Sequence, residues 1–263
     1  MVALAGIEFF VAALYRVRTS RLRKRARTLE KLNLQLERQM DANTRAEQAK
    51  SHLLGQVREM HDDLEQAYDA TLEGWAKALE LRDEDTEGHT RRVVEMTVKL
   101  AFRLGLSEAR VEQIRRGAVL HDIGKMGIPD DLLRKKEELT PEDWAEIRKH
   151  PEYARGLLEP ISFLREAAVI PYAHHERWDG SGYPRGLKGS EIPFDARIFA
   201  VVDVWDALRS DRPYRSGWSE ERVRRHIEAG VGTMFDPDVV RAFLQMIDEQ
   251  EEGNHGDSVA DPA

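Results

Sequence analysis

From Leu22 to Tyr68 the chain contains no proline and a single glycine, Gly55, with charged residues throughout. A stretch of that length without a helix breaker reads as one long helix rather than several short ones. A heptad runs through it. With Leu22 at position a, the a series is Leu22, Leu29, Leu36, Asn43, Lys50, Val57 and Leu64, and the d series is Arg25, Leu32, Gln39, Ala46, Leu53, Met60 and Ala67. Ten of these fourteen positions are apolar, which predicts a parallel homodimeric coiled coil. Gln39, Asn43 and Lys50 interrupt the seam near its centre, where polar residues at core positions fix register and strand number. The competing reading is a solvated single helix packed on the neighbouring domain.

Ahead of this helix the run from Met1 to Tyr15 is apolar apart from Glu8. It is followed by seven basic residues and no acidic one between Arg16 and Arg27. Charges placed after an apolar run match the cytoplasmic flank of a membrane segment, not a cleaved secretory signal, whose charges come first. Fifteen helical residues span only about 22 Å, against roughly 30 Å of hydrocarbon. The expectation is therefore a truncated membrane helix or an interfacial anchor over residues 1–15, with the rest of the chain cytoplasmic at the inner membrane. Residues 16–70 then form the basic flank and coiled-coil signalling helix.

Beyond Thr71 the pattern changes to helix-length apolar periodicities with no run of alternating β-branched residues. This predicts an all-α domain over residues 71–250 and a polar, disordered tail over 251–263. Helix starts are explicit at Thr140-Pro141 with Asp143, at Asp236-Pro237, and at Ser219 before Glu220 and Glu221. Gly124 and Gly230 stand where C-terminal glycines belong. The formal charge of −8 argues against binding to a DNA or RNA polymer. The absence of cysteine means that any metal site must use His, Asp and Glu.

Such residues are present in a telling distribution. Five of the nine histidines, His89, His121, His150, His174 and His175, lie in segments that also carry Asp85, Asp122 and Asp203. Ala118, Val119 and Leu120 predict burial of His121 and Asp122, and Val201, Val202 and Val204 do the same for Asp203. Buried charges are costly unless paired or metal-bound. A cluster of divalent metals with nitrogen and oxygen ligands is a common cause for all three positions, and suits iron, manganese or zinc better than calcium or magnesium. Two such ions, about 3.5–4 Å apart, activate a water and neutralise a phosphodiester, so no serine or cysteine nucleophile is required.

Three strings carry a resemblance: HDIGK from His121 to Lys125, HHERWDGSGYPRGLKG from His174 to Gly189, and DALRSDRPYR from Asp206 to Arg215. Together they closely resemble the HD-GYP family of cyclic di-GMP phosphodiesterases, over the chain from about Leu72 to Leu244. The resemblance implies a helical HD-type metal hydrolase domain that opens cyclic di-GMP to the linear dinucleotide pGpG and on to GMP, with two or three divalent metals, iron or manganese. It implies metal ligands at His89, His121, Asp122, His150, His174, His175 and Asp203, with Asp122 as the bridge. Lys125 would stabilise charge or deliver a proton. Gly182, Tyr183, Pro184, Arg212 and Arg215 would hold the substrate's bases and second phosphate, the glycine-rich run forming a mobile loop.

One position departs from the pattern. Three-metal members carry glutamate four residues before the first ligand histidine, where this chain has Asp85. A separation of four places the carboxylate one turn from His89 if the helix extends that far, so Asp85 is expected to bind a third metal; the competing reading is an N-terminal helix residue in the acidic run Asp83, Glu84, Asp85 and Glu87. Two alternatives to the phosphodiesterase stay open here: a metal hydrolase of another nucleotide or cyclic dinucleotide, and a non-catalytic cyclic di-GMP receptor.

Overall fold

The computed structural model describes residues 2–83, 88–135, 137–211 and 216–257, with side chains described for all of these except 2–9, 11 and 251–257. Asp85, Arg212 and Arg215 lie outside the described residues. The described residues are helical, without a named strand; the sole bridge pairs Val231 with Phe235. The all-α expectation holds. Helix α1 runs Val2–Asp83, and the chain divides into two units, Met1–Gln66 and Ala67–Ala263.

In the first unit the helix follows from the absence of breakers, and its apolar side chains have no cover. Leu22, Leu29, Leu32, Leu36, Leu53, Val57, Met60 and Leu64, all heptad core positions, are each about half or more exposed. Gln39 donates from Nε2 to Asn43 Oδ1 at 3.1 Å, satisfying two of the polar interruptions within the helix. Among the described residues no helix is long and apolar enough to cross a membrane.

The second unit continues from the end of α1 through α2 (His89–Arg103), α3 (Glu108–Val119), a 3-10 turn (Ile123–Gly127), α4 (Asp130–Leu133), α5 (Pro141–Ile147), α6 (His150–Leu158), α7 (Val169–Ala173), α8 (Phe194–Arg209), α9 (Glu220–Ala229) and α10 (Pro237–Asp257). Helix α8 is its axis. Ile198, Phe199, Val201, Val202 and Trp205 are buried among Val93, Leu100, Val111, Ile114, Val239 and Phe243 from α2, α3 and α10. A second apolar cluster joins Leu72 and Ala76 of α1 to Val119, Leu120, Ile123, Leu158 and Leu164.

The expected capping box opens α5: Thr140 accepts from Asp143 N, and Asp143 accepts from Thr140 N. Gly230 is the C-cap of α9. Gly124 has a different task from the one its position predicts. It lies inside the 3-10 turn, where an added Cβ would fall 1.8 Å from the carbonyl oxygen of His150. Close approach of two backbones, not helix termination, demands glycine there. Helix α10 runs Pro237–Asp257.

Candidate metal centre

Five chain segments deliver their histidines and aspartates to one place. His89 is the first residue of α2, His121 and Asp122 follow α3, and His150 opens α6. His174 and His175 follow α7, and Asp203 lies on α8. The close contact at Gly124 seats the HDIGK turn on the start of α6, which brings Asp122 beside His150. The atoms that could ligate a metal form two groups, Asp122 with His150, His174 and His175, and His89 with His121 and Asp203, all within 4.8 Å of one another in each group. Asp122 reaches both groups. Its Oδ2 is 3.2 Å from His121 Nε2, while Oδ1 is 3.6 Å from His150 Nε2 and 3.8 Å from His174 Nε2.

The histidine rings are oriented from behind. His121 Nδ1 donates to Ala118 O at 2.9 Å, His150 Nδ1 to Ile147 O at 2.8 Å, and His174 Nδ1 to Ile170 O and Pro171 O at 3.2 Å. A carbonyl only accepts, so in each ring the proton of the neutral form sits on Nδ1 and the lone pair on Nε2. Those Nε2 atoms converge: His150 and His174 approach to 3.5 Å. His89 is fixed by a carboxylate instead, Nδ1 to Asp206 Oδ2 at 2.7 Å, and its Nε2 is 3.4 Å from Asp203 Oδ1. Orienting partners on the far nitrogen are what metal-binding imidazoles require.

Electrostatics agree with this geometry. Burial and neighbouring imidazoles hold His174 well below its ordinary pKa, and burial with His150 pulls His175 down to about 4. Burial likewise lowers His150. Burial opposes protonation of His121 too, yet Asp122 and Asp203 raise it. Burial alone would raise Asp122, but Lys125 and His121 outweigh it and keep the carboxyl well below the usual range; Asp203 is lowered against burial by His89 and His121. The neutral imidazoles of His150, His174 and His175 and the ionised carboxylates, buried together with lone pairs converging, are a donor set that fits divalent metal ions of the iron, manganese and zinc kind.

The predicted substrate segment lies against this cluster. Tyr183 stacks on His175 with ring centroids 4.7 Å apart, and Arg148 lies over the same ring at 5.4 Å. Burial and Asp122 raise the Tyr183 hydroxyl, so it stays a neutral donor. The loop makes hydrogen bonds back to its own start. Buried Glu176 accepts from Arg185 N at 2.8 Å and Leu187 N at 2.9 Å, and Tyr183 N donates to His175 O at 3.2 Å. A Cβ at Gly182 would meet Arg177 N at 2.3 Å, so the loop packs only with glycine there. The Tyr183–Pro184 peptide is cis.

Sequence reasoning singled out neither Asp206, Glu176, Arg92 nor Arg148. Asp206 accepts one hydrogen bond from His89 Nδ1 and two from Arg92, at 2.7 Å from Nε and 2.9 Å from Nη2. Its signal was a second aspartate three residues beyond Asp203, on the same face of an apolar helix. Asp85, by contrast, lies outside the described residues.

An all-helical domain whose buried histidines and aspartates face one another in two groups is the architecture of a metal-dependent hydrolase. The HD domain family matches residues 75–239, and the chain belongs to that family. It is 44% identical over 169 residues to a cyclic di-GMP phosphodiesterase of Thermotoga maritima, covering 64% of this chain and 46% of that protein. It is 39% identical over 231 residues to the cyclic di-GMP phosphodiesterase response regulator RpfG of Xanthomonas campestris, covering 87% and 59%. It is 38% identical over 189 residues to the 3'3'-cGAMP-specific phosphodiesterase 2 of Vibrio cholerae, covering 71% and 36%. The chain thus spans about a third to three fifths of the length of these relatives. Among solved structures, the fold is similar to the PgpH HD domain of L. monocytogenes in complex with cyclic-di-AMP, with TM-score 0.50 and 15% identity, covering 68% of this chain and 96% of that one.

Proposed function

We propose that the chain is a metal-dependent phosphodiesterase that opens cyclic di-GMP to pGpG and cuts pGpG on to GMP. One observation carries the reading: the two oxygens of Asp122 face two separate groups of imidazole and carboxylate donors whose Nε2 atoms converge. His150, His174 and His175 would hold one ion, His89, His121 and Asp203 the other, with Asp122 between them. Iron or manganese suits these donors. When bound, such a pair supplies an activated water and positive charge for the phosphodiester.

The chain's own residues supply the rest. Lys125 Nζ, 2.9 Å from Asp122 Oδ2, stands at the edge of the cluster. Burial works against its charge, but Asp122 and Asp83 raise its pKa above the ordinary lysine value, so it stays cationic. It places charge on a non-bridging phosphate oxygen and a proton within reach of the departing 3'-oxygen as water adds to phosphorus and the P–O3' bond breaks. Gly182 and Pro184 set the turn that presents the Tyr183 ring to a base and its hydroxyl to a phosphate. Arg212 and Arg215 receive the second phosphate.

Copies of the chain pair through the exposed heptad seam, and the apolar residues 1–15 with their basic flank attach the cytoplasmic enzyme to the inner membrane surface; the order of charges supports this. The Vibrio cholerae relatives named as 3'3'-cGAMP-specific favour a second reading, in which the mixed cyclic dinucleotide is the substrate. Incubating manganese- or iron-loaded protein with each cyclic dinucleotide separately, and resolving the products by chromatography, tests both. Faster opening of cyclic di-GMP supports the first reading; faster opening of 3'3'-cGAMP replaces it with the second, and no turnover of either rejects both, leaving a hydrolase of another nucleotide or a receptor.

A further inference from the structure

The last turn of α1 is hydrogen-bonded to the segment that carries Lys125. Arg82 donates from Nη1 to the Lys125 carbonyl at 3.1 Å and from Nη2 to the Ile128 carbonyl at 2.6 Å. Its Nε pairs with Asp130 at 2.7 Å, and its own carbonyl accepts from Arg134 Nε at 2.9 Å. The next residue, Asp83, accepts from Lys125 Nζ at 2.5 Å. Asp83 also lines a small cavity together with His89, His121 and Asp122.

Each contact has a physical consequence. The 3-10 turn Ile123–Gly127 is only five residues long and gives way to extended backbone at Ile128, whose N–H closes the last turn on the Lys125 carbonyl at 3.0 Å, so the carbonyls from Lys125 to Ile128 line the turn's exit. A planar guanidinium reaching two of them fixes the turn's exit with little entropy lost per bond. The ammonium poses a separate problem. A lysine stem is flexible, and with Asp122 as the one carboxylate in reach the ammonium would settle wholly against that side chain. Asp83 provides a second anchor, at 2.5 Å against 2.9 Å for Asp122, and holds Nζ between them.

We propose that Arg82 and Asp83 are positioning residues for Lys125: Arg82 fixes its backbone and Asp83 aims its ammonium. The inference rests on the catalytic part given to Lys125 in the phosphodiesterase reading. The alternative is that the pair merely docks the end of α1.

A double-mutant cycle separates the two, with hydrolysis of the preferred cyclic dinucleotide and of bis(p-nitrophenyl) phosphate followed in parallel and metal per chain measured for every variant. Asp83→Asn should lower kcat by about tenfold to a hundredfold, as misplacement of a reacting group does, with KM changed much less and metal content unchanged. In a Lys125→Ala background the same substitution should change kcat by less than about twofold, because residues acting through one another are not additive. Asp83→Glu should recover part of the rate. An equal loss in both backgrounds, or full activity in Asp83→Asn, overturns the assignment of Asp83. For Arg82, hydrogen exchange in the metal-free protein gives a readout without turnover. Arg82→Gln should speed exchange of the Lys125 and Ile128 amides by about tenfold, and unchanged exchange refutes its part. Cleavage of the aryl diester without either cyclic dinucleotide would reject the substrate reading while leaving the cycle readable.

Discussion

His89 donates from Nδ1 to Asp206 Oδ2 at 2.7 Å, and that bond turns its Nε2 toward Asp203. Arg92 and Ser210 hold Asp206 in turn, so the imidazole is aimed through a chain of hydrogen bonds. Asp206→Asn keeps the volume but weakens the orienting charge. The affinity of the His89 group for manganese should fall by about 10–100-fold, with the fold retained by circular dichroism. Titration calorimetry checks it, and unchanged affinity would show that His89 needs no orientation.

Gly182 is the loop residue least able to accept a side chain. Gly182→Ala puts a methyl group 2.3 Å from Arg177 N and 2.5 Å from Glu176 Cα, so backbone must move. The expected cost is about 1–3 kcal/mol of stability, with a raised KM and nearly unchanged metal content. Thermal unfolding and steady-state kinetics decide this; wild-type values in both would mean the loop accommodates a Cβ.

Metal affinity should rise with pH near neutrality. Asp122 and Asp203 raise His121 above its ordinary 6.5, so at and below that pKa a bound proton competes with the ion. Affinity should climb by up to about tenfold per pH unit there and level off above it. His174, held well below its ordinary value, and His175, lowered to about 4, add no competing proton at neutral pH. A flat affinity between about pH 6 and pH 8 would contradict the His121 assignment.

The seam on α1 makes a prediction about assembly. Leu29 and Leu36 are 59% and 58% exposed and both occupy position a. Leu29→Asn with Leu36→Asn should raise the dimer dissociation constant by on the order of a hundredfold or more, since a buried leucine contributes about 1.5–3 kcal/mol. Sedimentation of wild type and variant measures it. A monomeric wild-type chain would reject the coiled coil.

What the sequence revealed and what it hid divide along physical lines. Local periodicity was legible: the heptad, the Thr140 capping box and the apolar runs of α3 and α8 each depend on neighbours a few residues away. The candidate donors were legible too, because buried histidines and aspartates stand out within apolar helices. Tertiary tasks were not. Gly124 has the composition of a helix end, yet it serves the contact with the His150 carbonyl, which lies 26 residues onward. The pairing of Arg82 and Asp83 with Lys125 crosses more than forty residues and leaves no periodic trace.

The bridging place of Asp122 between two metal sites is the central claim, and metal per chain in Asp122→Ala tests it most directly. Anaerobically purified wild type should hold two or more ions, and the variant should lose ions from both groups together with hydrolysis, because one side chain faces both. Retention of wild-type metal content with near-normal turnover would contradict it.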